Sequence, residues 1–129
     1  MKYLILLLLV MFSCNANADI VQDYVNSMTS TQKQNFIKAC ETDNFGTLTD
    51  VKSKALVCRD AATIKMNYSK KNRQALLDTY RYAVKSCNYY DLEDQKEVCD
   101  AIYEEYKLKC FKIRDEQICN ILKGYYKLY

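Results

Sequence analysis

From Ile20 onward the apolar side chains return every three or four positions rather than every second one, the period that gathers them on one face of a helix. A first helix is predicted over Ile20, Val21, Tyr24, Val25 and Met28. It yields to Thr29-Ser30-Thr31, where hydroxyls can cap a new start, and Thr31 with Gln34 fits a capping box. The second helix runs through Phe36, Ile37 and Cys40 to Asp43-Asn44-Phe45-Gly46, a composition suited to a turn with a left-handed residue. Thr47 is expected to cap a third helix, whose stripe is Val51, Ala55, Cys58, Ala62 and Met66 and which frays near Asn67 to Lys71. A fourth places Leu76, Leu77, Tyr80, Ala83, Val84 and Cys87 on one face, and Asn88 to Asp91 reads as a turn. The fifth starts near Asp91 or Asp94 and carries Cys99, Ile102, Tyr103, Tyr106 and Cys110, leaving Asp100, Glu104 and Glu105 for water. A sixth carries Ile118, Cys119, Ile121, Leu122 and Tyr125, with Gly124 near its end.

Proline is absent and the two glycines, Gly46 and Gly124, fall outside the long periodic segments, so nothing in them breaks a helix. The last two hairpins resemble each other: Tyr80 precedes Cys87 and Tyr103 precedes Cys110 by the same step, and Cys99 and Cys119 are each followed by an apolar residue and a tyrosine at matching steps. The expected fold is all-α, either a small disulfide-stapled helical bundle or a short stack of helical hairpins.

Lys2, the nine-residue apolar run from Leu4 to Phe12 and the small-residue site Ala16-Asn17-Ala18 form the pattern of a secretory signal peptide over residues 1–18. The run is too short for a membrane span, which needs roughly 20 residues, and no later segment is apolar enough to cross. Cleavage leaves residues 19–129, the length of one domain. A second processing route reads Ser13-Cys14 as the end of a lipobox, with Cys14 carrying a lipid anchor, although Met11 and Phe12 fit that pattern poorly.

Either route leaves Cys40, Cys58, Cys87, Cys99, Cys110 and Cys119, an even set that argues for disulfides in an oxidising compartment, periplasmic or secreted. Histidine is absent and no Cys-x-x-Cys pair occurs, so zinc is not expected. Of fifteen pairings, the sequential one follows the hairpins: Cys40 with Cys58, Cys87 with Cys99, Cys110 with Cys119. The first bridge is the most strained expectation, because a helix capped at Thr47 would put Cys58 about 15 Å along it.

Without Lys2 the balance is 18 of the 19 basic residues against 16 acidic ones, which predicts no strong pull towards nucleic acid or an anionic membrane. Lys65, Lys70, Lys71 and Arg73 read as a solvated helix end. Asp91, Glu93, Asp94 and Glu97 read as dipole-favoured residues at a helix start. The absence of histidine removes the commonest general base, neither glycine sits in a phosphate-binding loop, and no catalytic residue, cofactor or metal is expected. Asn67-Tyr68-Ser69 is a glycan acceptor only in a eukaryotic source.

Twelve tyrosines are the one unusual feature. Tyrosine gives large contact area and is enriched at interfaces, which makes Tyr103, Tyr106, Tyr125 and Tyr126 candidates for contact with a protein partner. The expected function is a non-enzymatic, exported protein-binding module of the inhibitor or immunity-protein kind. The six cysteines, leader, helices and the eight-residue gap from Cys110 to Cys119 resemble insect odorant-binding proteins in part. The cysteine pair three residues apart that marks that family is missing, so membership is not inferred. What that resemblance leaves is the alternative of a carrier for a small hydrophobic ligand in a pocket between helices.

Overall fold

The computed structural model describes residues 20–89 and 95–128. The leader, Cys14, Tyr90 and the acidic residues Asp91, Glu93 and Asp94 lie outside them.

Residues 20–27 form α1, followed by α2 (Ser30–Thr42), α3 (Val51–Met66), α4 (Arg73–Tyr89) and α5 (Lys96–Tyr106). The chain then winds as a π-helix over Lys107–Ile113, continues in α6 (Glu116–Leu122) and closes with a 3₁₀ turn over Tyr126–Leu128. The periodic segments are thus helices, and the arrangement is a disulfide-stapled bundle around α4 rather than a stack. Helix α4 runs antiparallel to α3 and α5 and parallel to α6: Lys65 pairs with Asp78 and Ser86 with the Ala55 carbonyl, Tyr80 reaches Glu105, and Arg73 and Asn88 contact Asp115 and Gly124.

Two helix starts differ from the expected ones. Thr29, not Thr31, caps α2: its hydroxyl accepts from the Gln32 N–H at 3.1 Å, while the Gln32 side chain accepts from the Thr29 N–H at 2.9 Å. Asp50, not Thr47, caps α3, because its carboxylate takes both the N–H and the hydroxyl of Ser53, at 3.0 and 2.8 Å. Thr29→Ala is expected to lower stability by about 1 kcal/mol, the usual worth of such a cap, read as an earlier urea midpoint at unchanged slope. Helix α2 ends at Asp43 in the left-handed region (φ 57), and Gly46 adopts the same region (φ 61). Lys85 of α4 completes this end, donating to the Cys40 and Glu41 carbonyls at 2.6 and 3.3 Å, where a cation also favours the helix dipole.

The buried side chains form one continuous cluster, from Val25 and Met28 through Ile37, Val57, Ile64, Leu77 and Val84 to Ile102, Ile118 and Leu122. The stripe predicted for α3 holds in its middle, with Ala55, Cys58 and Ala62 buried, but both ends, Val51 and Met66, are exposed. Val57, Ala61 and Ile64 are buried as well, because α3 lies between α2 and α4 and presents two faces to the core. Tyr103 leaves the α5 stripe: Cys99 and Ile102 are buried, Tyr106 is half-buried, and Tyr103 is exposed with Lys107 Nζ 4.2 Å from its ring centre.

The bridges join Cys40 to Cys58, Cys87 to Cys99 and Cys110 to Cys119, with alpha carbons 5.2, 5.8 and 5.2 Å apart. The first is reached easily because α3 starts at Val51, so Cys58 is only about 10 Å along it. No helix among the described residues is long and apolar enough to cross a membrane.

Candidate functional site

Three helices turn one row of side chains each towards a shared groove. From α3 come Arg59, Ala62, Thr63 and Met66, from α4 Leu76, Thr79, Tyr80 and Ala83, and from α5 Val98, Ala101, Ile102 and Glu105. Each row has the same spacing, a residue followed at three, four and seven positions, the repeat that keeps side chains on one helical face. In a closed three-helix seam such positions carry large residues that interdigitate. Here Ala62, Thr63, Thr79, Ala83 and Ala101 are small, and the helices enclose a hollow of about 410 Å³ open on one side. Its floor is buried Ala62, Ala83 and Ile102, and its walls are half-buried Leu76 and Val98 with exposed Met66.

Polar groups sit at its two ends. The Tyr80 hydroxyl donates to Glu105 Oε2 at 2.8 Å. Burial and the adjacent carboxylate both oppose ionisation of Tyr80, so its phenol stays protonated well above the ordinary range. Glu105, expected to face water, is therefore half-buried and engaged, which leaves Asp100 and Glu104 as the exposed charges of that set. At the other end, Arg59 lines the groove while its guanidinium pairs with Asp60 at 3.5 Å. Its Nε is buried and makes no hydrogen bond among the described residues. Asp60 is 3% exposed, and burial pushes its carboxyl up to about 6 against the opposing charge of Arg59.

Two of the larger hollows among the described residues are polar by comparison. One, about 550 Å³ between α4 and α6, mixes Arg81, Lys85, Asn88, Gln117 and Asn120 with Leu77 and Val84. The other, about 630 Å³, lies beside Lys65, Tyr68, Lys70 and Lys71. Two members of that basic cluster are already matched, Lys65 to Asp78 at 3.4 Å and Arg73 to Asp115 at 2.7 Å.

The four tyrosines do not form one face. Tyr125 is 3% exposed and belongs to the core, stacked edge-on against Tyr126 at 6.0 Å. Tyr126 lies at the C-terminal end of α4, where its N–H donates to Asn88 Oδ1 at 3.2 Å. Tyr103 and Tyr106 lie about one and a half to two turns away, on the part of α5 that faces the middle of α4, with Tyr106 edge-on to Phe111 at 5.1 Å. Tyrosines also close the core edge elsewhere: Tyr89 hydrogen-bonds Asp43, and burial with that carboxylate pushes Tyr89 up to about 12.

All six described cysteines are bridged, and no group of three metal-binding side chains occurs among the described residues. Compared with known proteins, the chain matches no family model, no curated protein and no solved structure.

Proposed function

We propose that this is a non-catalytic binding protein of an oxidising compartment, periplasmic or secreted, and that the groove between α3, α4 and α5 holds a small, mainly apolar ligand. The observation that carries this reading is the matched row of small residues on three helices, which leaves an apolar hollow of about 410 Å³ where a bundle would otherwise be filled. That volume lies in the range of small-molecule pockets, about 300–1,000 Å³, and such sites combine apolar walls with a few fixed polar groups. Tyr80 with Glu105 and Arg59 supply those groups. The leader pattern and the bridged cysteines support the compartment, which the N-terminal mass of the exported protein checks: Asp19 as first residue, or a lipid on Cys14.

Titration of the oxidised protein with N-phenyl-1-naphthylamine, an uncharged apolar fluorophore, tests the groove. A single saturable site is expected. Ala83→Leu, from the floor, and Ala101→Trp, from the exposed rim, are each expected to weaken it about tenfold, the effect of losing roughly 1.4 kcal/mol of contact. The rim variant guards against a floor variant that merely disturbs packing. Unsaturable binding, or unchanged affinity in both variants, would exclude the groove. The protein-partner reading keeps Tyr103 and Tyr106 beside Phe111 as its support. A stoichiometric partner lost on Tyr103→Ala, with no probe binding in the groove, would place it first.

A further inference from the structure

The segment Lys107–Ile113 is π-helical, stops at Arg114 in the left-handed region (φ 60), and contains no buried residue. A π-helix with its i→i+5 bonds has roughly 4.4 residues per turn, so successive side chains rotate by roughly 80°. On that wheel Phe111, Lys107, Lys112, Leu108 and Ile113 follow one another around about half the circumference. Cys110, which staples the segment to α6, lies on the other half. Burial agrees with this division. Leu108, Phe111 and Ile113 are 40%, 64% and 57% exposed, whereas Cys110 and Lys109 are half-buried.

Residues 107–114 hold four basic side chains and no acidic one, although the chain as a whole is close to neutral. Lys107 leans back on Glu104 at 3.4 Å. Lys112 and Arg114 are exposed and form no ion pair among the described residues. The bridge to Cys119 and the Arg73–Asp115 contact at 2.7 Å tie both the segment and its exit to the bundle, so the face is presented by a braced element.

We propose that this π-helical face docks the protein on an anionic bilayer surface. Leu108, Phe111 and Ile113 enter the boundary between headgroups and acyl chains, and Lys107 and Lys112 on the same face, with exposed Arg114 just past its end, meet lipid phosphate oxygens while their stems lie on apolar surface. The size of the patch favours a bilayer over a protein. A stable protein interface takes about 20–30 residues a side, whereas membrane attachment adds up from a few apolar side chains and the attraction of each basic residue to anionic lipid. The mixture of lysines and large apolar residues asks for a surface that is apolar and negatively charged within one side chain's length. The inference does not depend on what the groove holds.

Co-sedimentation of the exported, oxidised protein with vesicles tests it, comparing phosphatidylcholine alone with vesicles containing about one-third phosphatidylglycerol, an anionic fraction that attracts basic segments. Binding to the anionic vesicles is expected to be about tenfold or more stronger and to fall as salt is raised. Phe111→Ser with Ile113→Ser is expected to weaken it by about tenfold, and Lys112→Glu with Arg114→Glu to remove the preference for anionic lipid. All four positions are exposed, so circular dichroism should be unchanged, and the shared N-terminus cancels in every comparison. Equal binding to both vesicles, or variants that bind like the parent, would overturn the proposal. So would a lipid-free dimer or a protein complex that uses the Phe111 face while vesicles stay unbound.

Discussion

Reduction of all three disulfides is expected to abolish the cooperative fold near room temperature. The loops they close span sequence separations of 18, 12 and 9 residues, and restricting the unfolded chain is worth about 3 kcal/mol for each on the chain-entropy model. Because the pairing is sequential, the loops do not overlap and the contributions add to about 8–9 kcal/mol. A domain of this size has about 5–15 kcal/mol in total. Far-ultraviolet circular dichroism during thermal unfolding, with and without reductant, gives the comparison. A reduced protein with a sharp transition near that of the oxidised one would mean that the core suffices alone. Taken singly, Cys40→Ala with Cys58→Ala removes the longest loop and two fully buried side chains, so it should cost the most, towards the upper end of about 2–5 kcal/mol. The Cys110–Cys119 pair is half-buried and closes the shortest loop, so its removal should cost least.

The helices were legible because nothing in the chain contradicts its three-to-four period: no proline occurs, and both glycines fall where the structure turns. Helix ends were less legible. Thr29–Gln32 and Thr31–Gln34 have identical spacing, and the choice falls to the earlier pair, which also lets the Lys33 N–H donate to the Thr29 carbonyl at 3.0 Å. Between Thr47 and Asp50 the carboxylate prevails because it accepts two bonds from Ser53 at once. The Tyr80–Glu105 contact becomes readable only with the pairing in hand. If Cys87 faces Cys99 in an antiparallel hairpin, position 80 falls opposite 106, one residue from Glu105. The groove was not readable at all, since an alanine or threonine on an apolar stripe looks like ordinary core until three helices bring such residues together. Net charge hid the basic π segment in the same way. Glu104, Glu105, Asp115 and Glu116 flank it in sequence and cancel it in the sum, yet Glu105 and Asp115 are occupied by Tyr80 and Arg73.

Asp60→Asn is expected to stabilise the protein at neutral and alkaline pH and to matter little in acid. Asp60 is buried, and its carboxyl is raised from an ordinary 3.8 to about 6. The folded state therefore holds this proton more tightly than the unfolded chain does, so the group's stabilising contribution is complete below about pH 4 and is lost as pH rises through about 6. The difference is worth on the order of 2–3 kcal/mol once both states are ionised. An amide avoids that loss, and Arg59, left without the carboxylate, retains partial access to water. Part of the gain is offset because a buried amide brings N–H groups that need acceptors. A net rise in the unfolding midpoint of about 5–10 °C is expected near pH 8, shrinking towards zero near pH 4. Asp43 and Asp115 act in the opposite sense. Tyr89 holds the first below its ordinary range and Arg73 the second, so their contributions are present above about pH 4 and fade below it. Both are largely screened by solvent, so between pH 4 and 8 Asp60 should set the slope. A parent protein whose midpoint is flat across that range, or an Asp60→Asn variant whose gain is the same at both ends, would show that the buried carboxyl is compensated by more than Arg59.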